Sequence, residues 1–148
     1  MWTYFPRLRP AGVEELRAQF ARWSAGPPGD VPDVIAWENW AGMLHGTRAA
    51  VGTFQATVMH GEPAMLAYGI FPPYQRQGFA LEAMRSVVAH LAAAHGVERI
   101  GAEMDGRNVP SIALAKRLGL HEVAREDVDD ERTGARGIEL RYEGFITA

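Results

Sequence analysis

The stretch Tyr74-Gln75-Arg76-Gln77-Gly78-Phe79-Ala80 holds the residues whose types and spacing best suit chemistry. Gly78 lets the backbone come close to a ligand and take an unusual φ. Ala80 is small enough for the loop to lie against a helix, and Arg76 brings a guanidinium that can pair with phosphate oxygens. An apolar run, Met65 to Phe71, comes before and is halted by Pro72-Pro73, because proline has no N–H for a sheet ladder. A long amphipathic segment, Leu81 to His95, comes after. Strand, tight glycine-bearing loop and helix start together leave backbone N–H groups unpaired at the positive end of a helix dipole. An anion is favoured there, above all a phosphate or diphosphate. The spacing is neither the three-glycine dinucleotide fingerprint nor the Gly-Lys-Ser/Thr of a P-loop, and taken alone it is as readily a plain helix start.

The elements that must position this loop are read from periodicity. Phe5 to Arg9 reads as a short first strand. Val13, Leu16, Phe20 and Trp23 recur at three- and four-residue steps, one face of a helix, with Glu14 and Glu15 in its first turn. Ser24 to Asp30 is a loop, and residues 31 to 38 fit no single element. Trp40 to Leu44, Ala49 to Met59 and Ala64 to Phe71 read as three strands joined by turns, an antiparallel meander. The helix after the loop buries Met84, Val87, Val88 and Leu91, and Gly96 suits its left-handed end. Val97 to Met104 is the next strand, and a crossover helix allows it to run parallel to the strand before. After a turn at Asp105 to Asn108, Pro110 opens a helix that stops at Gly119. Leu120 to Glu126 and Arg136 to Ile146 make a final hairpin across an acidic turn, Asp127 to Glu131.

The run from Ile70 through Pro72-Pro73 to Ala80 resembles the acyl-CoA pyrophosphate loop of the GNAT N-acetyltransferase superfamily. Downstream, Asn108-Val109-Pro110-Ser111 and Lys116-Arg117-Leu118-Gly119-Leu120 are similar to the Asn-x-x-Ser and Lys-x-Leu-Gly-Phe elements of the branch containing ribosomal-protein N-terminal acetyltransferases. The resemblance covers roughly residues 64 to 124, and the first sixty or so residues match only loosely. It implies a single α+β domain over residues 1–148. The sheet would be mixed, mostly antiparallel and twisted, of about six to seven strands, with helices on both faces and a splay between the fourth and fifth strands. The pantetheine arm of acetyl-CoA would enter the splay and be held by backbone at Ile70 and Phe71. Backbone at Gln75, Arg76, Gln77, Gly78, Phe79 and Ala80 would hold the diphosphate. The implied activity is acetyl transfer to a primary amine, of a small molecule or a peptide N-terminus, by direct attack in a ternary complex. The alternative is a non-catalytic acyl-CoA-binding module of the same fold. Dimerisation, common in the family, makes a homodimer an expectation.

Such a transfer needs an amine held against the thioester, a route for its proton and a donor near sulfur. Many relatives supply a glutamate where this chain has Ala64, and a tyrosine where it has Ala115. Ser111 is therefore the candidate donor to the leaving thiolate, or else a first-turn serine that satisfies helix N–H groups. Asn108 is the candidate cofactor contact, or else a turn residue. Glu103 is the candidate base or water-orienting group, or else a solvated strand residue. Tyr68 faces the splay or packs in the sheet. Trp37 and Trp40 line an acceptor pocket with Glu38 drawing the amine, or serve as packing.

Composition removes other classes. The chain has 148 residues, enough for one domain with a core. A net charge of −3 argues against a general nucleic-acid surface. The absence of cysteine excludes disulfides, thiolate metal sites and a cysteine nucleophile, and is compatible with a cytoplasmic protein. No apolar run reaches membrane-spanning length and no signal-peptide pattern is present. The 5 histidines lie without metal-ligand spacing, so no metal is expected.

Overall fold

A computed structural model describes residues 11–27, 33–129 and 136–146. The strand expected at Phe5 to Arg9 lies outside them. The chain order is α1 (Val13–Ser24), β1 (Val34–Met43), β2 (Ala50–Met59), β3 (Ala64–Ile70), a 3-10 turn at Pro72–Tyr74, α2 (Phe79–His95), β4 (Arg99–Asp105), α3 (Val109–Arg117), β5 (His121–Asp129) and β6 (Arg136–Phe145). The segment left open by periodicity resolves into the start of β1, which begins at Val34 rather than Trp40. Its β-branched and aromatic residues, Val34, Ile35 and Trp37, suit a pleated surface. The final hairpin also runs further than expected. Asp127, Val128 and Asp129 pair with Ile138, Gly137 and Arg136, so β5 continues through what reads as an acidic turn. Val109, not Pro110, is the first residue of α3.

Among the described residues the sheet has six strands in the order β1-β2-β3-β4-β6-β5. All neighbours are antiparallel except β3 and β4. That parallel pair is short: only Ala64↔Ile100 and Met65↔Gly101 are in register, after which the strands separate. The opening falls at the carboxyl ends of two parallel strands, where open sheets bind ligands.

One sheet face carries the core. Phe54, Ala56 and Val58 of β2, Leu66 of β3, and Ile100, Ala102 and Met104 of β4 pack against Leu81, Met84, Val87 and Leu91 of α2 and Leu114 and Ala115 of α3. Val88, expected in this set, is half-buried, and Leu81 completes the apolar stripe. The opposite face carries α1, where Asn39 Nδ2 donates to the Trp23 carbonyl (3.5 Å). Helices thus lie on both faces. The edge strand β5 is almost wholly exposed, and its charged residues Glu122, Arg125, Glu126 and Asp127 discourage pairing with another sheet. No helix among the described residues is long and apolar enough to cross a membrane.

Candidate active site

The loop before α2 is built to leave amides free. Arg76 has φ 60° and Gly78 φ 89°, both left-handed, on either side of Gln77. Such alternation gathers successive N–H groups into a concavity suited to an anion. Gly78 caps α2 without any side-chain hydrogen bond. Among the described residues, the N–H groups of Arg76, Gln77, Gly78, Phe79 and Ala80 have no acceptor, whereas that of Gln75 donates to the Pro72 carbonyl (3.3 Å). The loop is braced from within. Gln77 Nε2 donates to the Pro73 carbonyl (2.9 Å), and the Tyr74 and Phe79 rings meet edge to face (6.3 Å).

The strand leading into the loop alternates its backbone groups between its two neighbours. The Phe71 N–H donates to the Val51 carbonyl (2.9 Å), which places Phe71, Gly69 and Ala67 toward β2. Tyr68 and Ile70 therefore aim their N–H and C=O groups at the opening. The Phe71 carbonyl accepts from Tyr74 N–H (2.9 Å), so both backbone groups of Phe71 already have a protein partner, while Phe71 itself lines the cleft. The Ile70 carbonyl accepts from the Gln75 side chain (3.0 Å), a contact that a rotamer change releases.

The opening leads into a cleft of about 610 Å³. Tyr68, Phe71, Glu103, Asn108 and Ser111 line it, together with Phe20 and Trp23 of α1 and Asn39, Thr53 and Gln55 of the sheet. The sequence-derived candidates Ser111, Glu103 and Asn108 thus converge on one cavity. Asn108 Oδ1 accepts from Ser111 N–H (3.3 Å), so Asn108 caps α3 and fixes Ser111 in its first turn. The Tyr68 hydroxyl donates to the Ser111 carbonyl (3.3 Å). Burial pushes the Tyr68 hydroxyl above its ordinary value despite that bond, which keeps it protonated and able to donate. Glu103 is exposed on the α1 face of β4 and lies 3.7 Å from Arg141 Nη1. Arg141 is held more closely by Glu143 Oε1 (2.7 Å).

The turn between β4 and α3 is fixed by Asp105, whose carboxylate accepts from Arg107 Nη2 (2.6 Å), Nε (2.9 Å) and backbone N–H (2.8 Å). The Arg107 side chain, opposed by burial and aided by the backbone bond, holds the Asp105 carboxyl below its ordinary value. Other residues stand apart from their expected roles. Trp40 lines the cleft, but Trp37 and Glu38 do not. Glu38 instead lies on the α2 face, with His90 and His95 against its carboxylate. Periodicity places Phe20 and Trp23 on one face of α1 but gives no sign of a cavity there. Gln19, Asn39 and Gln55 carry no motif at all. Gln19 Oε1 is buried at the cleft without a hydrogen-bond partner among the described residues.

Comparison with known proteins accords with this geometry. A family model described as an acetyltransferase (GNAT) domain matches residues 1–121. The fold is similar to that of spermidine N-acetyltransferase from Vibrio cholerae in complex with CoA and spermine, with TM-score 0.76, 14% identity, and 98% of this chain and 82% of that one covered. It is similar to an acetyltransferase (GNAT family) from Bacillus anthracis, with TM-score 0.75, 18% identity, and 94% and 80% covered. It is also similar to ribosomal-protein-S5-alanine acetyltransferase from Vibrio fischeri, with TM-score 0.58, 18% identity, and 67% and 56% covered. No curated protein matches the sequence.

Proposed function

Because the chain belongs to the GNAT acetyltransferase family, and is thus an acetyl-CoA-dependent N-acetyltransferase, we propose that its cleft seats donor and acceptor side by side for direct attack. The row of free amides from Arg76 to Ala80, opening beside the edge of β3 at Tyr68 and Ile70, which β4 leaves uncovered, carries this reading. The amides and the Arg76 guanidinium hold the diphosphate. The pantetheine amides pair with Tyr68 and Ile70 as a short added strand, after Gln75 releases the Ile70 carbonyl. The thioester then reaches the part of the cleft lined by Ser111 and Glu103.

The acceptor enters over Phe20 and Trp23. Its neutral nitrogen attacks the thioester carbonyl, with the proton passing to Glu103 directly or through water. The Ser111 hydroxyl, which has no hydrogen bond among the described residues, donates to the departing thiolate. Asn108 acts by positioning Ser111, and the Tyr68 hydroxyl by holding the same turn from the sheet. No step requires a metal. The described lining is apolar and amide-rich, with Glu103 its one carboxylate, and this favours a single amine on an apolar body over a polycation such as the spermine bound in the Vibrio cholerae enzyme.

Free-thiol release from acetyl-CoA across a panel of aromatic and aliphatic monoamines, peptide N-termini and spermidine tests the reading. Turnover on monoamines or peptides above that on spermidine is expected. A second reading, a binding module without turnover, draws on Ala64 and Ala115, which stand where many relatives place their acid–base groups. Tight acetyl-CoA binding with no thiol release on any amine would favour it.

A further inference from the structure

Glu38, His90 and His95 form a cluster that acetyl transfer does not use. The three come from two elements, the edge strand β1 and the C-terminal half of α2. His90 Nε2 lies 2.9 Å from Glu38 Oε2, and His95 Nε2 bonds Glu38 Oε1. One ligand atom from each residue falls within 4.8 Å of the others. None of the three lines the cleft. His95 lies about 24 Å along the helix axis from its first turn, at about 1.5 Å per residue.

We propose that these residues form a binding site for a divalent transition ion of the zinc class, clipping the end of α2 to β1. Two imidazole nitrogens and one carboxylate oxygen are a donor set that zinc accepts, with water in the fourth position. In a tetrahedral shell at about 2.0–2.1 Å, donor atoms stand about 3.3 Å apart, so small rotamer changes would open the present hydrogen-bonded cluster to admit the ion. The histidines stand five positions apart, which turns them about 140° around the helix. Their rings nonetheless meet edge to face, with centroids 6.0 Å apart, and Glu38 reaches from β1 to both Nε2 atoms. His90 is further fixed by the edge of Trp40, with ring centroids 5.8 Å apart. The remaining face stays open to solvent, since His90 is 47% exposed and gives the ion an entry path. Spacing along the chain cannot reveal such a site, because its carboxylate stands in a strand before the loop and its histidines in the helix after it.

The test uses the full chain stripped of metal with a chelator, titrated with zinc chloride by calorimetry and with cobalt(II) by visible absorption. One ion per chain is expected, with a tetrahedral cobalt spectrum and affinity that falls as pH is lowered, because imidazoles must lose their protons to bind. At a hundredfold excess over Kd, zinc should raise Tm by roughly 5–10 °C. His95→Gln and Glu38→Gln should each weaken zinc at least about tenfold while leaving CoA affinity unchanged. Retained CoA affinity reports that these variants fold, and His90→Gln replaces either one that does not. Absence of binding, affinity unaltered in all three variants, or an equal loss on replacing the distant His121 would overturn the site and leave a hydrogen-bonded clip alone.

Discussion

Gly78→Glu probes the loop most directly, and the structure separates its effects. At φ 89° any side chain costs backbone strain of about 1–2 kcal/mol, whatever space surrounds it. A Cβ at Gly78 would meet nothing within 4 Å, so steric conflict with the protein adds nothing. A carboxylate at a helix start also gains about 0.3–1 kcal/mol from the dipole, and the variant should fold with a Tm only a few degrees lower. Against the diphosphate the sign reverses. Two like charges about 4 Å apart repel by about 1 kcal/mol in water and about 4 kcal/mol at an effective dielectric near 20. CoA affinity should therefore fall about tenfold to a thousandfold, less at high salt. Gly78→Ala carries the strain without the charge and should lose only a few-fold. Calorimetry with CoA and with pantetheine, which lacks the diphosphate, completes the design: Gly78→Glu should leave pantetheine binding as in Gly78→Ala. A folded Gly78→Glu protein that binds CoA as the parent does would refute the placement of the diphosphate.

Three further outcomes are expected. Ser111→Ala should lower kcat about 100-fold with KM for acetyl-CoA nearly unchanged, as steady-state kinetics would show; an unaltered kcat removes the hydroxyl from the reaction. Gly52→Ala should cost about 1–3 kcal/mol or more in denaturant unfolding, because its Cβ would stand 2.3 Å from the Gly69 carbonyl oxygen on β3; native stability would show that the strands separate freely there. Asp105 has a folded-state value below its ordinary 3.8, so its stabilisation is present above that value and is lost as pH falls through the lowered one. Thermal unfolding of Asp105→Asn should accordingly fall below the parent at neutral pH and converge with it in strong acid, and a gap that persists in acid would assign the loss to packing.

The middle of the chain was legible because its signals are local. Pro72-Pro73, Gly78 and Gly96 mark where β3 ends and α2 begins and stops, and Asn108, Ser111 and Gly119 mark α3, each through backbone chemistry acting within a few residues. The start of β1 was not legible, because Asp30 to Asp33 offers no turn type that fixes where the strand begins, and pairing with β2 decides it: Val34 lies opposite Met59. The acidic run at Asp127 to Asp129 reads as a turn by composition, yet an exposed edge strand tolerates charge on both sides. The acceptor wall is less legible still. Asn39 and Gln55 lie opposite each other on β1 and β2, and Gln19 joins them only when α1 is laid across the sheet, which nothing in the spacing of three amide side chains announces. Which of Ile70 and Phe71 turns its backbone groups toward the splay was not legible for a similar reason. Which strand residues face the splay depends on a register with β2 that only the pairing of Val51 with Phe71 sets.

Burial bears on two departures from the family pattern. Ala64 is 1% exposed, lies at the one place where β3 and β4 still pair, and packs with the core beneath α2. A carboxylate there would be desolvated among apolar side chains. Ala115 is likewise 1% exposed, inside the packing of α3 against the sheet. Neither position opens on the cleft in this chain, so restoring the family's residues at them would not restore a base or an acid. The cleft instead has a carboxylate, Glu103, on the open face of β4 and the Ser111 residue at the capped start of α3. Both sit next to the four-residue turn from Asp105 to Asn108, whose shape depends on the Asp105–Arg107 clasp, the Gly106 N–H on the Ile138 carbonyl (2.7 Å) and the Asn108 cap. On the proposed reading, acid–base function would be concentrated on the turn after β4 rather than on β3, whose edge would then be left for the cofactor arm.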